Sequence, residues 1–151
     1  MIYYIIDGNN LIGKSKTLAN LQKKDKKGVR EKLVILLERY FQGRKAGISL
    51  HFDGFQGEPI NTSILKIYYS RGRTADELIK NQIGKSTSPR NTILVSSDHN
   101  LMEYAKVCSC KVISSEKFWQ SISSTKVEDE EKRRMDELNN PDEFKKLFGT
   151  K

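Results

Sequence analysis

The sequence is poor in cysteine and has no long apolar run. Its two cysteines, Cys108 and Cys110, are one residue apart, too close for an easy disulfide and too few for a structural zinc site. No apolar stretch approaches the roughly 20 residues that a helix needs to span a bilayer. The opening stretch, Met1–Ile6, stops at Asp7 without a basic flank or a cleavage-like site. These absences argue against a disulfide-stapled scaffold and a membrane-spanning protein, and we expect a soluble, unprocessed, cytoplasmic protein.

Acidic residues are scarce in most of the chain. The whole sequence has 27 Lys and Arg against 19 Asp and Glu, a formal net charge of +8. Residues 126–151 are nearly neutral at −1, and residues 1–125 carry 20 basic against 11 acidic side chains. Between Lys14 and Lys45, 11 basic residues face only three acidic ones. This excess favours a polyanionic partner such as nucleic acid, although a solvated helix face accounts equally well for the run.

The length of 151 residues suits one ordinary domain with a single core. Apolar runs of strand length alternate with amphipathic segments, a pattern typical of a parallel sheet covered on both faces. We therefore predict an α/β fold, a single three-layer domain over residues 1–125 with a central, mainly parallel five-stranded sheet, followed by a charged helical tail over 126–151. The predicted strands are Ile2–Ile6, Ile48–Phe52, Ile64–Tyr69, Thr92–Val95 and Lys111–Ile113. The predicted helices are Gly28–Arg44, Thr74–Ile83, Asp98–Val107 and Glu116–Ile122, with a further helix start at Asn140–Glu143.

Carboxylates follow the predicted strands. Asp7, Asp53 and Asp98 each come where a strand ends, and Asp76 begins a helix with Glu77 beside it. Because the carboxyl ends of parallel strands meet at one edge of an open sheet, we expect these side chains to converge. A divalent cation, Mg²⁺ or Mn²⁺, relieves the repulsion among clustered carboxylates and activates water. In a basic protein this indicates phosphodiester hydrolysis, whereas each Asp alone is also a common helix cap or turn residue.

Three segments carry a family resemblance: Ile5–Ile12 (IIDGNNLI), Tyr69–Ile79 (YSRGRTADELI) and Val95–Asn100 (VSSDHN). In order and spacing they resemble the signature segments of the NYN-domain ribonucleases of the PIN-like superfamily, and the chain is most similar to the YacP-like bacterial branch. The resemblance covers about residues 1–122. It implies a PIN-like fold and endonucleolytic cleavage of RNA with Mg²⁺ or Mn²⁺, on single-stranded RNA or mRNA, with the ribosome as a further expected partner.

The resemblance also implies roles for individual residues. Asp7, Asp76 and Asp98 are the expected principal metal ligands, and Glu77 and Asp53 are further candidates. Asn10 is expected to act beside them by orienting Asp7, a water or the phosphate. The expected RNA- or phosphate-binding residues are Arg71, Arg73, Lys14, Ser96, Lys23, Lys24, Lys27 and Arg30, of which Ser96 also supports Asp98.

Two other functions remain open at this point. Gly8–Ser15 (GNNLIGKS) satisfies the G-x-x-x-x-G-K-[ST] pattern of a phosphate-binding loop that follows a strand. That interpretation leaves Asp76 and Asp98 without a function and sets Asp7 next to a polyphosphate. A non-catalytic RNA- or ribosome-binding module would keep the fold and the basic surface, but it would gain nothing from clustered carboxylates.

Overall fold

We describe residues 1–123 in a computed structural model of the chain. Within this range, Met1–Trp119 form one compact unit. The predicted domain boundary at residue 125 and the helices predicted in the tail lie outside the described residues, so they stay predictions.

A five-stranded parallel sheet forms the centre of the fold, and the predicted α/β class is confirmed. The strands are β1 (Ile2–Asp7), β2 (Ala46–Phe52), β3 (Leu65–Tyr69), β4 (Thr92–Val95) and β5 (Lys111–Ile113). They lie side by side in the order β3-β2-β1-β4-β5, and each neighbouring pair is parallel. Their ends differ from the predicted ones by at most two residues. Strand order reverses beside β1, because β2 lies on one side of it and β4 on the other. Open α/β sheets bind ligands at the carboxyl end of such a switch point.

Helices connect the strands and cover the sheet. They are α1 (Gly8–Ile12), α2 (Lys16–Gln22), α3 (Lys26–Phe41), α4 (Ala75–Gly84) and α5 (His99–Val107), with a 3-10 turn at Pro89–Asn91 and a sixth helix, α6, over residues 115–123. The four predicted helices α3 to α6 are present, and their starts differ from the predicted ones by one or two residues. Among residues 1–123, no helix is long and apolar enough to cross a membrane.

The two short helices α1 and α2 were not predicted. Each begins at a side chain that caps it: Asp7 accepts the N–H of Asn10, and Ser15 accepts the N–H of Leu18. Five and seven residues are too few to show a helical period in the sequence. The consequence for the site is that β1 leads directly into a helix instead of an open loop.

The core packs against both faces of the sheet, and β1 contributes to each. On one face, Ile5 belongs to a buried cluster that includes Ile79 of α4 and Leu101 of α5. Its neighbour Tyr4 points to the opposite face, as strand geometry requires, and its ring lies 4.8 Å from the ring of Phe41 in α3. Burial of each such side chain, for example Ile79 or Leu101, stabilises the folded protein by about 1.5 to 3 kcal/mol. This packing holds the carboxyl ends of the strands in fixed positions.

Candidate active site

Asp7 is a buried carboxylate at the carboxyl end of the central strand. One of its oxygens accepts the N–H of Asn10 at 3.5 Å, and the other accepts the hydroxyl of Ser96 at 3.1 Å. Only 6% of the residue is exposed. Burial, together with the negative charges of Asp76 and Asp53, raises the pKa of Asp7 to about 6, although both hydrogen bonds act in the opposite direction.

Ser96 joins Asp7, the last residue of β1, to Asp98, which follows β4. Its hydroxyl donates to Asp7 and accepts the N–H of Asp98 at 3.1 Å. Asp98 in turn caps α5 by accepting the N–H of Leu101 at 3.0 Å. Because Ser96 is completely buried, an RNA phosphate has no access to it. The phosphate contact expected of Ser96 is therefore corrected to a bridge that orients the two carboxylates.

Asp76 and Asp53 reach the same edge from the other side. Asp76 lies in the first turn of α4, and its pKa is raised by partial burial and then by the charges of Asp98 and Asp53. Asp53 follows β2 and accepts the N–H of Ala75 at 2.9 Å, which fixes it to the start of α4. These interactions bring four of the five predicted metal-site carboxylates to one edge of the sheet.

The four carboxylates form an acidic cluster, defined as Asp7, Asp53, Asp76 and Asp98. Within residues 1–123, no three His, Cys, Asp or Glu side chains are arranged closely enough to hold a metal ion as they stand. The donor chemistry suits a hard divalent cation, which prefers carboxylate oxygens and retains several waters. Such a cation would also relieve the mutual repulsion that adds to burial in raising the pKa values of Asp7 and Asp76.

Asn10 ties three segments together beside the acidic cluster. Its backbone N–H contacts Asp7, whereas its side-chain oxygen accepts the N–H of Ser97 at 2.9 Å and the hydroxyl of Ser115 at 2.6 Å. Ser115 is completely buried at the start of α6. Asn10 thus fixes α1 to the β4–α5 connection and to α6. Sequence reasoning gave Ser115 no part in the site, since nothing in its local pattern indicates a partner so far away in the chain.

Lys14 is engaged at the rim of the cluster. Its Nζ lies 2.9 Å from Oε1 of Glu116, and the hydroxyl of Ser97 donates to Glu116 at 2.6 Å. The hydrogen bond from Ser97, followed by that from Lys14, lowers the pKa of Glu116 to about 2. The phosphate contact expected of Lys14 stays a prediction.

Arg71 and Arg73 add positive charge next to the acidic cluster. Both are exposed in the turn between β3 and α4. Arg71 has a φ of +59°, in the left-handed region, and its N–H donates to the carbonyl of Gly54 at 2.8 Å. This bond joins the turn to the loop after β2. Arg73 pairs with Glu77, with 3.0 Å between Nε and Oε2, so the Glu77 carboxylate faces an arginine. The metal-binding role expected of Glu77 stays a prediction.

Arg30 is not part of the exposed basic surface. It is 5% exposed, and its guanidinium lies 5.0 Å from the ring centre of Phe52 and 5.1 Å from that of Tyr69. It donates to the carbonyl oxygens of Asp53 and Phe55 at 2.8 and 3.1 Å. The expected phosphate contact of Arg30 is corrected accordingly, because its donors hold the loop that follows β2 in place.

Three predicted RNA-binding lysines lie exposed where α2 meets α3. Lys27 pairs with Glu31 and Glu58. Lys23 and Lys24 form no ion pair with any described residue, so both charges face solvent. Both side chains are therefore accessible to a nucleic-acid backbone.

Gly8–Ser15 does not form a phosphate-binding loop. Its first five residues are α1, and the N–H groups of the next three each donate back to a carbonyl oxygen of that helix at 3.1 Å. Ser15 then caps α2, and Lys14 is paired with Glu116. Because the backbone donors that a polyphosphate requires are already engaged, the geometry does not support the nucleotide-binding alternative.

Phe55 was missed by sequence reasoning. Its side chain is 67% exposed, two residues after Asp53, and its carbonyl is held by Arg30. A large exposed aromatic ring next to a carboxylate edge suits stacking of an RNA base. The signal available in the sequence was an aromatic residue within the otherwise polar segment Asp53–Gly57.

Comparisons with known proteins agree with this architecture. Among solved structures, the chain is similar to Rae1 (YacP) from Bacillus subtilis, with a TM-score of 0.74 and 16% identity over 99% of this chain and 88% of that one. A tryptophan-to-leucine mutant of the same Bacillus subtilis protein gives a TM-score of 0.71 and 17% identity over 89% and 83% of the two chains. These likenesses show a shared fold. No curated protein matches the sequence.

The sequence itself matches a protein family over nearly its whole length. The YacP-like NYN domain matches residues 4–148, a range that extends beyond residue 125, where we predicted the domain to end. The match includes all four aspartates of the acidic cluster and the segments that position them. The chain therefore belongs to the YacP-like NYN domain family, a family of PIN-like nucleases.

Proposed function

We propose that this protein is a metal-dependent endoribonuclease that hydrolyses phosphodiester bonds of single-stranded RNA or mRNA. The observation that carries the proposal is the convergence of four carboxylates at the carboxyl edge of the sheet in a YacP-like NYN domain. Two exposed arginines beside this edge supply the charge that a phosphate requires.

In this mechanism Asp7, Asp76 and Asp98 would hold Mg²⁺ or Mn²⁺, with Asp53 next to them. The bound cation would supply Lewis acidity and a water of lowered pKa. Asp7 must lose its proton before it can act as a ligand, and in the metal-free protein its raised pKa of about 6 opposes that loss. Because the cation and the proton compete for this carboxylate, cleavage at a limiting metal concentration is expected to increase as the pH rises toward about 6.

Other side chains keep the reacting groups in position. Ser96 and the backbone of Asn10 hold the Asp7 carboxylate by hydrogen bonds. Arg71 and Arg73 lie where they stabilise negative charge that develops on the phosphate. Phe55 offers a stacking surface for a base next to the scissile bond.

The test is cleavage of end-labelled single-stranded RNA with Mg²⁺ or Mn²⁺ and with a chelator. Asp7→Asn and Asp98→Asn are expected to lower the cleavage rate at least about 100-fold, because each removes a charged ligand. RNA affinity should stay the same or increase, since negative charge is lost. Glu103→Gln in α5, an exposed residue outside the acidic cluster, removes the same charge and should retain full activity.

One result would favour the non-catalytic module instead. If the wild-type protein binds RNA without metal and cleaves neither free RNA nor ribosome-bound RNA, the nuclease proposal is wrong and a binding role remains. Testing both forms of RNA matters because the ribosome is an expected partner.

A further inference from the structure

A cleft of about 510 Å³ lies on the sheet away from the acidic cluster. It is bounded by strands β1, β2 and β3 and by the segment that follows α4, and none of the four clustered carboxylates lines it. Tyr3, which lines it, is paired with Gly47 and Thr92 near the amino ends of the strands, whereas the acidic cluster lies at their carboxyl ends. The volume is within the range of small-molecule sites, roughly 300 to 1,000 Å³.

Two tyrosine rings stand at this cleft with open surface. Tyr68 is 39% exposed and stacks on the buried ring of His51, with 4.9 Å between ring centres and 15° between planes. His51 is in turn hydrogen-bonded to Gln82 of α4 at 2.7 Å. Tyr3 is 44% exposed and lies over Gly47, where a Cβ atom would come within 2.8 Å of the ring. Both rings are therefore positioned by packing and remain free to stack with a flat ligand.

The charged side chains of the cleft are of one sign. Lys66 precedes Tyr68 by two residues and so points to the same face of β3, and Lys85 caps the end of α4. Neither lysine forms an ion pair with a described residue, and no acidic side chain within residues 1–123 lines the cleft. The exposed hydroxyl of Thr87 adds a neutral donor. Flat aromatic surface beside unpaired ammonium groups is complementary to a base and its phosphate.

The cleft adjoins a second cavity, of about 460 Å³, at the shared side chain Tyr68, and the other walls of that cavity include Arg71 and Arg73. The four residue steps from Lys66 in β3 to Ser70 span about 13 Å, at roughly 3.3 Å per residue. An extended RNA strand of a few nucleotides covers that distance.

We propose that this cleft binds one nucleotide of a single-stranded RNA whose scissile phosphate lies at the acidic cluster. The base stacks on Tyr68, and the phosphate contacts Lys66 and Lys85. The part of this assignment that concerns the scissile phosphate rests on the proposed nuclease function.

The binding test uses Asp98→Asn as the parent, so that RNA stays intact, and the fluorescence anisotropy of a labelled single-stranded RNA of about 12 nucleotides. Tyr68→Ala is expected to weaken binding about tenfold or more, and Tyr68→Phe to stay within about twofold of the parent, because stacking requires only the ring. Thermal unfolding checks that loss of the His51 contact has not unfolded the variant.

The double variant Lys66→Gln/Lys85→Gln tests the cleft without disturbing the stacked rings. Its matched control is Lys106→Gln/Lys111→Gln, two exposed lysines on α5 and β5 with the same loss of charge. A clearly greater loss of affinity in the first pair supports the cleft. Equal losses in both pairs, together with unchanged binding by Tyr68→Ala, would overturn it.

Cleavage assays separate this proposal from the proposed function. With Asp98 intact, the two lysine substitutions should raise KM for the long RNA and leave kcat unchanged, while a short oligonucleotide confined to the catalytic edge shows no change. If the wild-type protein cleaves nothing, the nuclease function fails while the binding data still decide the cleft. If it cleaves and KM for the long RNA is unaffected, the cleft alone is wrong.

Discussion

At the scale of single residues, Asp7 places a carboxylate where the fold disfavours its charge. Its pKa is raised from 3.8 to about 6, chiefly by burial, so the folded protein binds this proton more tightly than the unfolded chain does. The contribution of Asp7 to the free energy of unfolding is therefore highest below about pH 4 and decreases as the pH rises through about 6. Converted into free energy, this pKa shift means that ionisation of Asp7 lowers the free energy of unfolding by about 3 kcal/mol at neutral pH.

Asp7→Asn is accordingly expected to stabilise the metal-free protein at about pH 7.5, by roughly 1 to 3 kcal/mol, and to change little at about pH 4.5. Chemical denaturation in the presence of a chelator at both pH values measures this difference. Glu103→Gln should show no such pH dependence. An equal effect of Asp7→Asn at the two pH values would contradict the raised pKa. With Mg²⁺ or Mn²⁺ added, only the wild-type protein should gain stability.

At the scale of secondary-structure elements, the acidic cluster depends on one amide oxygen. Asn10 accepts hydrogen bonds from the β4–α5 connection and from the first residue of α6, and so holds α1 against both. Removal of a shared acceptor leaves two donors without a partner, one of them on the buried Ser115.

Asn10→Ala is expected to lower the free energy of unfolding by about 2 to 4 kcal/mol, since each unsatisfied donor costs about 1 to 3 kcal/mol. Asn10→Asp retains the acceptor and should lose less when unfolding is measured at about pH 4, where Asp7 is protonated and does not repel the new carboxylate. Denaturant unfolding of the two variants checks the order. If Asn10→Ala were as stable as Asn10→Asp, the two hydrogen bonds would have no net effect on stability.

Much of each element, but not every contact between elements, could be predicted from the sequence. The second half of β1, from Ile5 to Asp7, is buried, and the strand appears in the sequence as an apolar run. Parallel topology then brings the aspartates at the strand ends to one edge of the sheet. The burial of Arg30 could not be predicted, because its stacking partners Phe52 and Tyr69 are distant in the chain and a buried arginine has the same letter as a solvated one.

At the scale of the whole molecule, the basic side chains differ in their surroundings and in their roles. Arg30 supports a loop, and Lys14 and Lys27 are paired with glutamates. Lys23 and Lys24 remain unpaired within the described residues and exposed. Not every basic side chain is therefore free to bind RNA.

Lys23→Gln/Lys24→Gln is expected to weaken RNA binding without regard to sequence and to reduce the slope of log K against log salt by about 1.4, or roughly 0.7 for each lost contact. Anisotropy titrations over a range of salt concentrations measure the slope. Lys106→Gln/Lys111→Gln, with the same change in net charge, should leave it nearly unchanged. If both pairs behave alike, the run from Lys14 to Lys45 is an ordinary solvated face.

The bridges around Asp7 also determine when the site comes into existence. Asp7 belongs to the first strand, yet the Ser96 hydroxyl that orients it comes 89 residues later, and the Ser115 hydroxyl on Asn10 comes 105 residues after Asn10. During synthesis the first carboxylate therefore leaves the ribosome long before its partners. A chain translated only as far as β3 lacks Asp98 and both serines, so the acidic cluster can assemble only after most of the domain has been synthesised.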